Sequence, residues 1–163
     1  MDNNEGKSTK PPEHRKTNTI ANIRNVIFFL LALLTVQFEL GMTVNLDVSL
    51  PVKNLGALQS LIYFGDHFGL VLAHIINGTA ILITSLVFLV FSFKTHFLSL
   101  RILAILILGF VLDAIINGIL FLMSGQYFGW SIGMAMDAVF VLIVSAVAMY
   151  FVGNTIQGER TGE

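Results

Sequence analysis

The sequence has no cysteine, three prolines and one tryptophan among 163 residues, and only 12% of its residues are charged. Without cysteine there are no disulfides, thiolate metal centres, iron–sulfur clusters or thiol nucleophile. So little charge excludes an ordinary soluble surface, since soluble domains are about a quarter charged. Nine Lys and Arg balance ten Asp and Glu. No basic stripe with interleaved aromatics appears, so nucleic acid is not an expected partner. Neither a phosphate-cradling glycine loop nor an HExxH pair occurs. The chain reads more readily as a non-enzyme than as an enzyme.

Apolar residues dominate: 55% of the chain is hydrophobic, and the mean hydropathy is +0.82. Four apolar stretches are each long enough to cross the ~30 Å hydrocarbon core of a bilayer as a helix. They run over about 23–44, 67–91, 98–123 and 130–152, and together form one membrane domain, 23–152. The polar segment 1–22, with Pro11 and Pro12, cannot bury a core and reads as a disordered tail. Residues 153–163 form a second short tail. Val26–Leu34 could serve as the apolar core of a signal peptide. However, the following Thr35-Val36-Gln37-Phe38-Glu39 offers no small-x-small cleavage site, so an uncleaved helix is expected. The connection from Asn45 to Asp66 holds Pro51 and Gly56, and Leu55–Phe64 within it reads as a short interfacial helix.

Basic residues set the expected orientation. Lys7, Lys10, Arg15, Lys16, Arg24, Lys94, Arg101 and Arg160 fall on one side of the spans and Lys53 alone on the other. The positive-inside rule then places both termini in the cytoplasm. The expected fold is an all-α, four-helix transmembrane bundle, and the expected setting is the cell membrane.

Polar groups inside these spans are expensive and need partners, water or a task. Glu39, His74, Asn77, Asp113, Asn117 and Asp137 are the candidates. With a rise of ~1.5 Å per residue, Asn77 and Asp113 fall about 3–4 Å outside the midplane. The other four fall roughly 6–10 Å outside it. Helical phase puts His74 with Asn77, Asp113 with Asn117 and Gly109, Asp137 with Gly133, and Glu39 with Thr35 and Met42. The expectation is a single polar pocket in the outer half of the bundle. Amides inside membrane helices often only tie helices together, and that plainer reading is preferred for Asn77 and Asn117.

Cofactors are less well signalled. His67 and His74 share one helix, so a haem would need His74 with Met42, Met134 or Met136. His74 and Asp137 are the candidate metal ligands, without diagnostic spacing. Asn77-Gly78-Thr79 matches the glycosylation pattern but lies inside a span. Leu72–Gly78 and Leu112–Gly118 resemble each other, which reads as convergent packing of a small residue beside an amide.

Two motifs carry a resemblance. Gln37-x-x-x-Gly41-Met42-x-x-Asn45-Leu46, with Pro51 after it, and Asn117-Gly118-x-x-Phe121-Leu122 resemble a group of small, uncharacterised four-span membrane proteins of bacteria and archaea. That group has Gln at the position of Gln37 and usually an apolar residue at that of Glu39. The resemblance implies four helices and no established activity. The leading expectation is a small membrane subunit, stabiliser or small-molecule binder, with a homodimer or larger membrane complex as partner. The alternatives are a redox subunit associated with haem or quinone and, third, a proton-coupled carrier.

Overall fold

The computed structural model describes residues 14–47, 58–59, 62, 69–124 and 127–161, with the backbone alone at 14–18, 47 and 156–161. The chain forms helices α1 (His14–Asp47), α2 (Gly69–Phe93), α3 (Leu98–Met123) and α4 (Phe128–Thr161). All four are long and apolar enough to cross a membrane. The expected interfacial helix Leu55–Phe64 falls mostly outside the described residues, as does His67.

Two helices outrun their apolar segments. α1 begins at His14 rather than Ile23, and α4 continues to Thr161 through the expected tail. Once an apolar segment has nucleated a helix, each further residue adds a hydrogen bond at little cost. No proline interrupts 13–22 or 153–161, so nothing stops the propagation.

The helices form a ring in which α1 packs on α2 and α4, and α3 packs on α2 and α4. Diagonal pairs do not meet among the described residues. This follows from the short α2–α3 and α3–α4 links, which leave consecutive helices antiparallel and adjacent. In one half of the bundle the interior is a regular apolar seam. Ile20, Ile23, Ile27, Leu30 and Leu34 of α1 are buried at alternating steps of three and four. They meet Ile81 and Phe88 of α2, Leu100, Ala104, Ile107 and Val111 of α3, and Val141, Ala148 and Val152 of α4. That spacing is the helix–helix seam period.

Small residues let the backbones approach within this seam. Ser85, Ser92 and Ser145 are fully buried, as are Ala104 and Ala148. Ser85 and Ser92 donate to their own helix at Ile81 O (2.8 Å) and Leu89 O (2.7 Å), which removes the cost of burying a hydroxyl. Aromatic pairs tie α3 to α4: Phe110 stacks on Phe140 at 5.0 Å, and Phe97 meets Phe151 edge-on at 5.9 Å.

The α2–α3 link closes on itself. Thr95 Oγ1 donates to Ser92 O at 2.7 Å, and Arg101 Nη2 donates to Thr95 O at 2.6 Å and Phe93 O at 3.4 Å. Arg101 also sits over the Phe93 ring at 5.6 Å. A guanidinium here satisfies carbonyls that the end of α2 leaves without helical partners, and it complements the helix dipole.

Candidate functional site: a polar layer in two clusters

Beyond Leu34 on α1, Ile81 on α2, Val111 on α3 and Val141 on α4, the apolar seam gives way to polar side chains and glycines. On α1 and α2, Gln37 lies between His74 and Asn77. Asn77 Nδ2 donates to Leu33 O at 3.0 Å and to Gln37 Oε1 at 2.8 Å. Gln37 Nε2 stands 3.1 Å from His74 Nε2. The chemistry of these contacts orders the protons. Both partners of Asn77 Nδ2 are acceptors, so the Gln37 amide turns its oxygen to Asn77 and its NH2 to the ring. His74 Nε2 is then the acceptor, and Nδ1 carries the proton. Nδ1 is buried with no partner among the described residues.

Glycines shape this cluster. A Cβ at Gly41 would meet His74 Cε1 at 3.2 Å, and one at Gly78 would meet Gln37 Nε2 at 3.4 Å. The pattern is reciprocal: Gln37 and Gly41 on α1, four residues apart, face Gly78 and His74 on the antiparallel α2. Each polar side chain lies over the other helix's glycine, where the missing Cβ leaves room.

A similar arrangement joins α3 and α4. Asn117 Nδ2 donates to Asp137 Oδ2 at 2.9 Å, and the Asp113 carboxyl adjoins that of Asp137. A Cβ on Gly133 would come within 3.0 Å of the Asn117 amide, and one on Gly118 within 3.3 Å of Met134 Sδ. Asp137 is only 6% exposed. Asp113 is exposed, although it lies about 4 Å from the midpoint of α3 at 1.5 Å per residue. A third contact ties α4 to α1: Ser131 Oγ donates to Asn45 Oδ1 at 3.2 Å. From that tie Gln37 is about 12 Å along α1 and Asp137 about 9 Å along α4. The two clusters therefore occupy nearly one level.

Of the six residues singled out in the sequence, His74 and Asn77 come together on α1/α2. Asp113, Asn117 and Asp137 come together on α3/α4. Glu39 joins neither group and is exposed. The residue sequence reasoning missed is Gln37, the bridge of the first cluster. Its signal was present in the i, i+4 spacing to Gly41, which mirrors His74 and Gly78.

Gln37 Nε2 stands at His74 Nε2, so iron or another metal on that nitrogen would have to displace the amide. The methionines considered with it lie elsewhere. Met42 and Met136 are exposed, and Met134 packs at Gly118. Among the described residues no three His, Asp or Glu side chains are grouped to hold a metal. Gly129-Trp130-Ser131-Ile132-Gly133 has the letters of a serine nucleophile elbow. That motif needs a sharp strand-to-helix turn, whereas Ser131 lies in the first turns of α4 and its hydroxyl is bound to Asn45.

Together these features define a class: an all-α bundle of four helices of membrane-spanning length with a paired polar layer. Compared with family sequence profiles, curated proteins and solved structures, the chain gives no match.

Proposed function

We propose that the chain is a multi-pass membrane protein with both termini in the cytoplasm, acting as a non-enzymatic subunit or stabiliser of a larger membrane assembly. Its polar layer has two tasks on this reading. Gln37, His74, Asn77, Asn117 and Asp137 hydrogen-bond between neighbouring helices, the commonest use of such groups in a bilayer. Asp113, beside the Asp137 carboxyl, is left exposed.

One observation carries the proposal. Asp113 is exposed near the centre of a span, on the face that carries Asn117 and Gly109 and beside the Asp137 carboxyl. A carboxyl at such depth costs about 2.5–3.5 kcal/mol on insertion scales, and its short side chain cannot reach the headgroups from there. A hydrogen-bond donor on a partner within the bilayer would offset that cost. The resemblance to small four-span membrane proteins belongs to the same proposal and adds no activity.

Extraction in mild detergent followed by native mass spectrometry tests it. The wild-type chain is expected to carry a second mass, from a protein, a further copy or a small molecule, which Asp113→Leu releases while helix content is unchanged. A wild-type chain that runs alone, or an Asp113→Leu variant that keeps its companion, refutes the reading.

A further inference from the structure

Two adjoining hollows, of about 360 and 370 Å3, lie on the bundle surface along α2 and share Ile83 and Val87 in their walls. The first lies against α1 at Val26 and Phe29, with Asn25 on its rim. The second continues past Val90 and Phe91 to Lys94. The only other polar lining group is Thr84, whose hydroxyl is spent on Ala80 O at 2.7 Å. From Ile83 to Lys94 the trough is about 16 Å long at 1.5 Å per residue. Half of a ~30 Å hydrocarbon core is about 15 Å. Ile83 is two residues from the midpoint of α2, and Lys94 lies one residue past its end. The trough therefore covers the depth of a single leaflet.

The end of the trough at Lys94 carries an uncommitted cation. Lys94 is exposed, and its Nζ is held 5.2 Å over the Phe91 ring, at the mouth of the trough. No carboxylate or hydrogen-bond acceptor contacts it among the described residues. Arg101 nearby is different, since its guanidinium is engaged by the Phe93 and Thr95 carbonyls.

We infer that this trough seats one anionic phospholipid, with an acyl chain along Ile83, Val87, Val90 and Phe91 and the headgroup phosphate on Lys94. The inference rests on the membrane reading proposed above, and under that orientation the lipid belongs to the cytoplasmic leaflet. Charge complementarity selects the occupant. A basic residue at that surface attracts anionic lipid by an amount equal to about a fivefold preference over a zwitterionic lipid. The apolar walls accept a chain and offer nothing to a free phosphate.

The full-length chain should first be washed in alkaline carbonate. If it leaves the membrane, the membrane reading fails and takes the lipid seat with it. If it stays, native mass spectrometry is run with added dioleoyl phosphatidylglycerol, dioleoyl phosphatidylcholine or inorganic phosphate. The expected result is retention of one phosphatidylglycerol, about fivefold over phosphatidylcholine, and no binding of phosphate. Lys94→Gln should abolish the preference and Lys94→Arg should keep it, while Val87→Trp should fill the trough and reduce retention of both lipids. Equal retention of the two lipids by the wild type, or unchanged retention in both Lys94→Gln and Val87→Trp, overturns the seat and leaves the membrane reading intact.

Discussion

Gln37 and His74 face each other across α1 and α2, with their Nε2 atoms 3.1 Å apart and each side chain lying over a glycine of the opposite helix. The contact is polar, but steric room makes it possible. Two helices approach closely enough for short amide and imidazole groups to meet only where Gly41 and Gly78 remove a Cβ from the interface.

Glycine substitutions should therefore separate by position. Gly133→Ala puts a methyl 3.0 Å from the Asn117 amide and forces it away from Asp137. A loss of roughly 1–3 kcal/mol is expected from such overpacking. Gly109→Ala meets nothing within 4 Å and should be neutral or stabilising by about 0.5–1 kcal/mol. Thermal unfolding in one detergent, followed by circular dichroism, compares the two. Equal effects would contradict the close-approach argument.

Gln37 bonds Asn77 and His74 together, so its removal should not add to theirs. Gln37→Leu is expected to cost about 0.6–2 kcal/mol, as is Asn77→Leu. The double variant should cost clearly less than the sum, because each single change already breaks the shared 2.8 Å bond. A double-mutant cycle of unfolding free energies provides the check, and strict additivity would exclude the bridge.

Asp137 holds Asn117 from a nearly sealed position. Asp137→Asn retains an oxygen that can accept from Asn117 and should be mild. Asp137→Leu strands the amide and is expected to cost about 1–3 kcal/mol. If the two variants unfold at the same temperature, the 2.9 Å bond contributes nothing.

At the other end of the bundle, Arg101→Gln removes the donor to Thr95 O and Phe93 O. A cation at a helix C-terminus contributes about 0.3–1 kcal/mol, and up to about 2 when partly buried. Hydrogen exchange should quicken at Phe91–Thr95 and stay unchanged in the middle of α3. A uniform increase along both helices would point to global loosening instead of a lost cap.

The polar layer was legible in part. His74 and Asn77 share a helix face by period alone, as do Asp113 and Asn117, and their grouping in the structure follows that phase. Gln37 carries no charge, and hydropathy does not separate it from the neighbouring Glu39. Only the facing helix reveals that the amide is the one bonded. The helices α1 and α4 extend beyond the apolar spans that hydropathy marks. Polarity marks where a lipid-compatible stretch stops, while a helix stops only where hydrogen bonding or φ/ψ geometry fails.

The sequence by itself determined that there are four long apolar helices with polar residues at similar depths, because hydropathy and helical phase are sums over neighbouring residues. Tertiary structure decided who meets whom: Gln37 with His74 and Asn77, Asn117 with Asp137, Asp137 enclosed and Asp113 exposed beside it. Those outcomes depend on which helices are adjacent in the ring and on how closely glycines let their backbones approach, and both are distances between segments far apart in the chain.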